Sequence, residues 1–356
     1  MSTLVDCAVH NVVPNIDTLY PYMTDHWVEY SRQSAFKGPV DTAYPPQAPT
    51  SVGPLWRDGE PAGTTVDVVR RQLLQPLDVG VAILACTYAV ESIHNPDTAA
   101  AVAAAVNDWQ VAEWLEPEPR LRASLVVPSQ QPAMAAAEID RLGADRRFVQ
   151  VLLPVRSALP YGNRQYHAIF EAAERNHLAV GLHFGGAPGN PPTGAGWPSY
   201  YLEEYAGMAQ VFQTQLLSMI VEGVFERFPE LRVTCLEGGF TWVPSLLWRM
   251  DKEWKGLRRD VPWVRRPPSE HIQERVRFTI RPLDAPPGDG ELADVISDLE
   301  SDELLLFASD YPHWHFDDFA DAVPAQLPPA VRPAVLADNA IAFYELEMGL
   351  EMGGGR

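Results

Sequence analysis

Five titratable side chains are the strongest candidates for chemistry, because each lies at or just after the end of a short apolar run. They are His10, His183, Glu237, Asp310 and His313. Imidazole and carboxylate groups together suit a divalent metal such as Zn²⁺ or Mn²⁺. Such an ion lowers the pKa of a bound water or polarises a carbonyl. Without a metal, an imidazole that titrates near neutrality is a plausible general acid or base.

The elements that must position these residues are short apolar runs alternating with longer helix-patterned stretches. The runs are rich in β-branched and aliphatic residues, as buried parallel strands are. They cover Leu4–Val9, Val79–Cys86, Leu121–Val127, Phe148–Leu153, Ala179–Phe184, Leu231–Leu236, Val276–Ile280 and Leu304–Ser309. The helical stretches cover Asp97–Leu115, Pro132–Leu142, Asn163–Asn176, Glu203–Phe228, Pro244–Leu257, Gly290–Leu299 and Pro329–Leu346. This alternation predicts an α/β protein with a (β/α)₈ TIM barrel.

In a TIM barrel the active site is built at the carboxyl ends of the strands. Two long insertions, 11–60 and 185–201, follow strands and are therefore expected to border the pocket at that face. We expect a single domain over 1–350 and a disordered tail over 351–356. Two doubly wound domains are the alternative, but the first strand is not followed by a GxGxxG motif and no linker divides the chain.

Composition narrows the function class. The chain has 356 residues, 46% of them apolar, which supports a large core and excludes disorder as the main state. With 27 basic and 47 acidic residues its net charge is −20, which disfavours nucleic acid and membrane surfaces as partners. Three cysteines, no signal-peptide pattern and no apolar run of membrane-spanning length predict a cytoplasmic protein. We expect a small-molecule substrate and a homodimer.

Four segments of the chain resemble the amidohydrolase-related proteins, in particular the branch with aminocarboxymuconate semialdehyde decarboxylase. The segments are VDCAVHNVVP, GLHFGG, FPELRVTCLEGGFTWVPSLLWRMDKEW and LLFASDYPHWHFDD, followed by the late DNAIAFY. The resemblance implies a (β/α)₈ barrel with one divalent metal ion, Zn²⁺ first and Mn²⁺ second. It also implies hydrolysis or non-oxidative decarboxylation of a small carboxylated or cyclic compound.

Carried over position by position, the resemblance implies that His10, His183 and Asp310 are metal ligands. Asp310 would also serve as a general base. Decarboxylases of this branch usually carry a histidine after strand six, and here Glu237 takes that place. Glu237 is therefore a candidate ligand, base or partner of an arginine, and His313 is a candidate replacement donor.

One departure puts metal occupancy in question. The strand-one motif usually has a His, Asp or Glu two residues before its second ligand, and here that residue is Ala8. Asp6 is on the same strand face by simple alternation, but about 7 Å away along the strand. The site is expected to hold a metal weakly unless Glu237 or His313 has taken over the missing position.

Aromatic residues and arginines near the predicted pocket are candidates for substrate binding. Trp197 and Trp314 would wall a planar ring, and Arg249 would bind a carboxylate. The leading hypothesis is a metal-dependent hydrolase of a small cyclic or unsaturated carboxylated compound, with Asp310 or Glu237 as base. The alternatives are a decarboxylase of the same family, and a barrel that has lost its metal and works by acid/base chemistry or binding alone.

Overall fold

The computed structural model of the protein describes residues 4–40, 44–45, 60–186, 191, 193–286, 290–313 and 321–347. The predicted substrate-binding residue Trp314 and the predicted tail at 351–356 lie outside these ranges. Parts of both predicted insertions also lie outside them, namely 41–43, 46–59, 187–190 and 192.

Eight parallel strands form one sheet in which each strand pairs with the next along the chain. The strands are β1 Leu4–Val9, β2 Val79–Leu84, β3 Leu121–Val126, β4 Phe148–Arg156, β5 Ala179–Gly186, β6 Val233–Leu236, β7 Val276–Thr279 and β8 Leu305–Leu306. The sheet then curls until its first and last strands meet. The backbone nitrogen of Cys7 donates to the oxygen of Phe307 at 3.0 Å, and that of His10 donates to Tyr311 at 2.8 Å. The predicted TIM barrel is confirmed.

Eleven α-helices are found in the described part of the chain, most of them between consecutive strands. They are α1 Asp25–Gln33, α2 Val66–Val69, α3 Pro96–Gln110, α4 Pro132–Leu142, α5 His167–Arg175, α6 Tyr201–Val221, α7 Val224–Arg227, α8 Val243–Leu257, α9 Pro268–Arg275, α10 Glu291–Ser297 and α11 Asn339–Tyr344. Helix α3 begins at the capping residue Asn95, whose side chain accepts from the backbone nitrogens of Asp97 and Thr98. None of these helices has the length and apolar character needed to cross a bilayer.

The predicted strands differ from the observed ones mainly at their carboxyl ends. β4 and β5 run two or three residues further than their apolar runs, to Arg156 and Gly186. β8 is far shorter than predicted, because its pairing is interrupted after Leu306. There the nitrogen of Phe307 donates to the oxygen of Val335 at 2.9 Å, outside the sheet. After Leu306 the chain pairs with β1 only at separate points, Phe307 and Tyr311, and Asp310 lies between them.

The barrel interior is tied together by buried polar contacts. The hydroxyl of Tyr344, at the end of α11, donates to Gln150 on β4 at 3.0 Å. It also lies 2.9 Å from the hydroxyl of Thr234 on β6. These bonds join the last helix to two strands, one of which leads into the loop of Glu237, and so help to fix the frame of the site.

Candidate active site

The five candidate side chains meet at the carboxyl ends of β1, β5, β6 and β8. The Nε2 atom of His10 lies 2.7 Å from Oε1 of Glu237 and 3.0 Å from Oδ1 of Asp310. The Nε2 atom of His183 lies 2.7 Å from the same oxygen of Glu237. His313 approaches from the other side, with its Nδ1 atom 2.7 Å from Oδ1 of Asp310. The structure thus brings together every predicted ligand and catalytic residue of the sequence pattern.

Most of this cluster is shielded from water. His10, His183, Glu237 and Asp310 are buried, whereas the side chain of His313 is 37% exposed. His313 therefore stands on the side of the cluster that faces solvent.

Both carboxylates sit on unusual backbone. Glu237 has φ 62° and Asp310 has φ 57°, in the left-handed region that residues with a Cβ rarely adopt. Such strain is held only where the surroundings fix it, and it concentrates at functional sites. At Glu237 the backbone nitrogen donates to the hydroxyl of Thr279 on β7 at 3.0 Å. Two residues on, Gly239 has φ 65°, and a Cβ there would collide with the Asp284 carboxylate.

The charges of the cluster are strongly coupled. Burial by itself lowers the pKa of His10, but Glu237 and Asp310 outweigh it and raise that pKa to about 10. For Glu237, burial and the neighbouring Asp310 raise the pKa, while the two imidazoles of His183 and His10 lower it more. The net effect keeps Glu237 ionised. Two carboxyl groups thus share one small volume with three imidazoles.

The donor chemistry fits a divalent cation. The Nδ1 atom of His183 lies 2.7 Å from the carbonyl oxygen of Phe184 and must carry the proton that it donates there. In a neutral ring the Nε2 atom then has a lone pair that faces the Glu237 carboxylate. That arrangement is repulsive unless a proton or a cation lies between them. Metal-binding histidines have the same arrangement: one ring nitrogen donates a hydrogen bond to a carbonyl, and the other binds the metal.

Four of the five residues form a compact donor set, and His183, which was predicted as a ligand, is not among them. The four are His10, Glu237, Asp310 and His313, and one ligand atom from each lies within 4.8 Å of all the others. Two nitrogens and two oxygens suit Zn²⁺ or Mn²⁺. Glu237 and His313, the two candidate replacements for the group missing from strand one, both belong to this set.

Around Asp6 and Ala8, strand β1 departs from a regular strand. The pairing of β1 with β2 shifts register between Asp6 and Val9, so simple alternation fails there. Asp6 does not face the donor set as alternation predicted. Its Oδ1 atom instead accepts from the backbone nitrogens of Ser309 at 2.9 Å and Ala8 at 3.3 Å. Ala8 itself is fully buried.

A small pocket adjoins the cluster and contains a carboxyl group that was not predicted from the sequence. Its wall includes Tyr88, Glu91, His183, Phe184 and Gly186. Burial raises the pKa of Glu91 to about 7. A backbone hydrogen bond and the charges of His183 and Arg156 lower this pKa, but by less. Glu91 follows β2, and its position after a strand was the available signal. It was missed because four residues separate it from the end of the apolar run.

Aromatic rings extend this wall. The ring of Phe184 lies 5.2 Å from that of Tyr205, which lies 5.7 Å from that of Tyr201. Burial, Asp310 and Glu237 all raise the pKa of the Tyr205 hydroxyl, which places α6 beside the cluster. Tyr205 lies inside a helix rather than at a strand end, so the sequence offered no signal for it.

The two insertions meet next to this wall. Arg156, at the end of β4, forms a fully buried ion pair with Glu204 of α6 at 2.9 Å. The other oxygen of Glu204 accepts from the backbone nitrogen of Tyr44 at 2.6 Å. The ring of Tyr44 lies 4.6 Å from that of Trp197. Glu204 therefore links Tyr44 of the first insertion to the end of β4, and Tyr44 in turn contacts Trp197 of the second insertion.

The structure places the predicted substrate-binding residues Trp197 and Arg249 in different regions of the molecule. Trp197 belongs to the second insertion, is 45% exposed and contacts Tyr44. Arg249 lies on the exposed face of α8 and lines a groove on the outside of the barrel, away from the cluster. Arg156, which the sequence analysis did not single out, lies nearer to the pocket and lowers the pKa of Glu91, but it is paired with Glu204.

Known proteins of similar sequence are decarboxylases. γ-Resorcylate decarboxylase of Rhodococcus jostii is 25% identical over 317 residues, which cover 83% of this chain and 92% of that protein. The enzyme of the same name from Rhizobium sp. is 24% identical over 316 residues, with the same coverage of both chains. These relatives favour decarboxylation, an alternative in the sequence analysis, over hydrolysis, which was the leading hypothesis there.

Solved structures of similar fold cover almost the whole chain. 5-Carboxyvanillate decarboxylase LigW from Sphingomonas paucimobilis has a TM-score of 0.73 at 20% identity and covers 98% of this chain and 100% of its own. A dihydroxybenzoic acid decarboxylase from Polaromonas sp., with bound manganese and 2-nitroresorcinol, has a TM-score of 0.68 at 20% identity and covers 97% and 98%. These likenesses support the barrel fold.

The family follows from the sequence as a whole. The family model described as Amidohydrolase matches residues 5–346, from the second residue of β1 to just beyond α11. The match confirms the resemblance drawn from the strand-end motifs and the prediction that the protein is an enzyme. The chain belongs to the amidohydrolase family.

Proposed function

We propose that the protein catalyses the non-oxidative decarboxylation of a small aromatic carboxylic acid with the help of a divalent metal ion. The observation that carries this function is the donor set of His10, Glu237, Asp310 and His313 beside a wall of aromatic rings. The relatives that act on resorcylate and carboxyvanillate support the same chemistry. Decarboxylation therefore takes the place of hydrolysis as the first hypothesis.

The metal would be held by the four residues of the donor set. Manganese is the first choice, because a similar structure contains it and because mixed nitrogen and oxygen donors suit it. When bound, the ion would fix an oxygen of the substrate and withdraw negative charge from it. His183 would hold Glu237 in place through the 2.7 Å contact of its Nε2 atom.

Side chains of this protein would orient the substrate and supply the proton. Phe184 and Tyr205 would stack against the substrate ring and orient its carboxylate toward the donor set. The bond between the ring carbon and the carboxylate breaks, its electron pair stays on the ring carbon, and carbon dioxide leaves. Glu91, on the pocket wall, would give its carboxyl proton to that carbon and regain a proton from solvent.

The test is product analysis with defined substrates. The manganese-loaded protein is incubated with 2,6-dihydroxybenzoate, 5-carboxyvanillate and the methyl ester of each. We expect carbon dioxide release from a free acid and, in D₂O, one deuterium at the vacated ring carbon. Release of methanol from the esters without carbon dioxide from the acids would establish hydrolysis instead.

A matched pair of variants examines the proton donor. Glu91→Gln keeps the shape of the pocket wall but cannot donate a carboxyl proton, so kcat should fall about 10²- to 10⁴-fold with little change in KM. Glu303→Gln alters an exposed carboxyl far from the pocket and should leave both constants unchanged. A Glu91→Gln enzyme of normal kcat would assign the proton to another group.

A further inference from the structure

The hydroxyl of Tyr311 is held by two hydrogen bonds close to the donor set. Tyr311 directly follows Asp310 in the chain, and its side chain is buried. The hydroxyl donates to Oε1 of Gln72 at 2.7 Å and accepts from the backbone nitrogen of Gly63 at 2.9 Å. One bond given and one received fix the orientation of a hydroxyl that would otherwise rotate. The side chain is therefore clamped at its far end by two residues that are distant in sequence.

Both partners of this hydroxyl lie on irregular backbone. Gln72 belongs to a π-helical turn, Arg70–Leu74, and such turns occur frequently at functional sites. Gly63 has φ 70°, in the left-handed region that favours glycine. A Cβ at Gly63 would lie 2.5 Å from the carbonyl oxygen of His10, and the oxygen of Gly63 accepts from the backbone nitrogen of Val12 at 2.7 Å. Gly63 thus packs directly against the backbone of His10, a closeness that a larger residue would prevent.

The backbone of Tyr311 is bonded to one member of the donor set and adjacent to another. Its oxygen accepts from the backbone nitrogen of His10 at 2.8 Å. Its nitrogen donates to the hydroxyl of Ser309 at 3.1 Å, across Asp310. Asp310 has φ 57°, a strained conformation that persists only where the neighbouring structure holds it. A displacement of Tyr311 would therefore disturb Asp310 and His10 together.

We propose that Tyr311 is a positioning residue whose hydroxyl, clamped between Gln72 and Gly63, fixes the backbone that carries Asp310 and His10. Tyr311 acts through these two ligands and not on the substrate. The expected effect on metal affinity rests on the proposed function, whereas the effect on the backbone does not. Groups that orient metal ligands without touching the ion typically change its affinity 10- to 100-fold.

A comparison of two buried hydroxyls separates positioning from a loss of stability. Tyr311→Phe removes only the clamped hydroxyl, so the Kd for Mn²⁺ from titration calorimetry should rise about tenfold or more. Ser124→Ala removes a fully buried hydroxyl that donates to the oxygen of Leu84 at 2.7 Å. Ser124 lies on β3, which carries no residue of the donor set. This control should lower the free energy of unfolding and leave the Kd unchanged, and an equal rise in Kd in both variants would overturn the proposal.

A second variant tests whether the hydroxyl acts through Gln72. Gln72→Leu removes the acceptor and should raise the Kd for Mn²⁺ in the unaltered background. In the Tyr311→Phe background the same change should have little further effect, because both substitutions remove one hydrogen bond. Effects on Kd that multiply in the double variant would show that Gln72 and Tyr311 act independently, which contradicts the clamp.

Hydrogen exchange followed by mass spectrometry tests the backbone without any metal. In the metal-free protein, Tyr311→Phe should speed amide exchange in the segment 304–313 about fivefold or more, and Ser124→Ala should not. If the unaltered protein binds no Mn²⁺, the metal-dependent part of the proposed function fails, and the exchange rates alone decide on the positioning role. Unchanged exchange in Tyr311→Phe overturns the proposal, as does an unchanged Kd in a protein that binds the ion.

Discussion

The Oδ1 atom of Asp6 accepts a hydrogen bond from the backbone nitrogen of Ser309 at 2.9 Å, one residue before Asp310. The carboxylate thereby joins β1 to the segment that carries a central residue of the site. Its other oxygen is buried and has no hydrogen-bond partner among the residues that the structure describes. Burial, which the bonds from Ser309 and Ala8 only partly offset, raises the pKa of Asp6 to about 6.

The first prediction is that Asp6 makes stability depend on pH. A carboxyl whose pKa rises from 3.8 to about 6 on folding stabilises the fold fully below about pH 4 and loses that contribution as pH rises through 6. The loss amounts to about 3 kcal/mol. Asp6→Asn keeps the Oδ1 acceptor and does not ionise. Urea unfolding should therefore show the variant gaining about 3 kcal/mol relative to the unaltered protein between pH 4 and pH 8.

Asp298→Asn is the control, since this residue is exposed at the end of α10. It should show the same pH dependence as the unaltered protein. If the unfolding free energy of Asp6→Asn instead shows the same pH dependence as that of the unaltered protein, Asp6 ionises in the folded protein without cost, and its Oδ2 atom must be solvated.

The second prediction concerns His313 as a metal ligand. The protein should bind one equivalent of Mn²⁺, and His313→Ala should weaken binding at least about tenfold, because even groups behind the ligands change affinity 10- to 100-fold. Titration calorimetry and metal analysis after dialysis measure this. His94→Ala alters an exposed histidine outside the donor set and serves as the control. Equal affinity in both variants would remove His313 from the donor set.

The third prediction connects His313 with Ala8. If His313 replaces the group missing from strand one, a carboxylate restored at Ala8 should compensate for its loss. We expect Ala8→Asp in the His313→Ala background to recover at least about tenfold in Mn²⁺ affinity. Ala8→Asn has nearly the same size without the charge and should recover much less. If Asp and Asn act alike, the side chain at position 8 does not reach the metal.

The location of the site could be predicted from the sequence because the geometry of a closed barrel largely determines it. Strands of a closed barrel end at one mouth, so polar residues after apolar runs had to meet there. This brought His10, His183, Glu237 and Asp310 together without knowledge of any loop. The apolar runs also predicted β1 and the helix α4 to the residue.

The rest depended on features that a strand pattern does not encode. The register shift in β1 turned Asp6 toward backbone, and alternation alone cannot reveal a shift. Tyr205 and Glu204 lie on the first turns of α6, which begins directly after the second insertion, so no strand pattern marks them. Arg249, in contrast, was predicted to lie in the pocket but lies outside it. The buried residues Val243 and Leu247 set the inner face of α8, and that phase places Arg249 outside.

The last prediction is that the Arg156–Glu204 ion pair stabilises the fold and holds Tyr44 of the first insertion in place. Both side chains are fully buried, so Glu204→Ala leaves a buried guanidinium without its counter-charge and should cost about 3–5 kcal/mol in unfolding free energy. Replacing both partners, Arg156→Met with Glu204→Leu, should cost much less, since an apolar pair needs no counter-charge. Urea unfolding measures both. Either replacement also removes the acceptor for the backbone nitrogen of Tyr44, so both should speed proteolytic cleavage within the insertions. A stable Glu204→Ala variant that is cleaved no faster would show that the contacts of Tyr44 with Trp197 hold the insertions without Glu204.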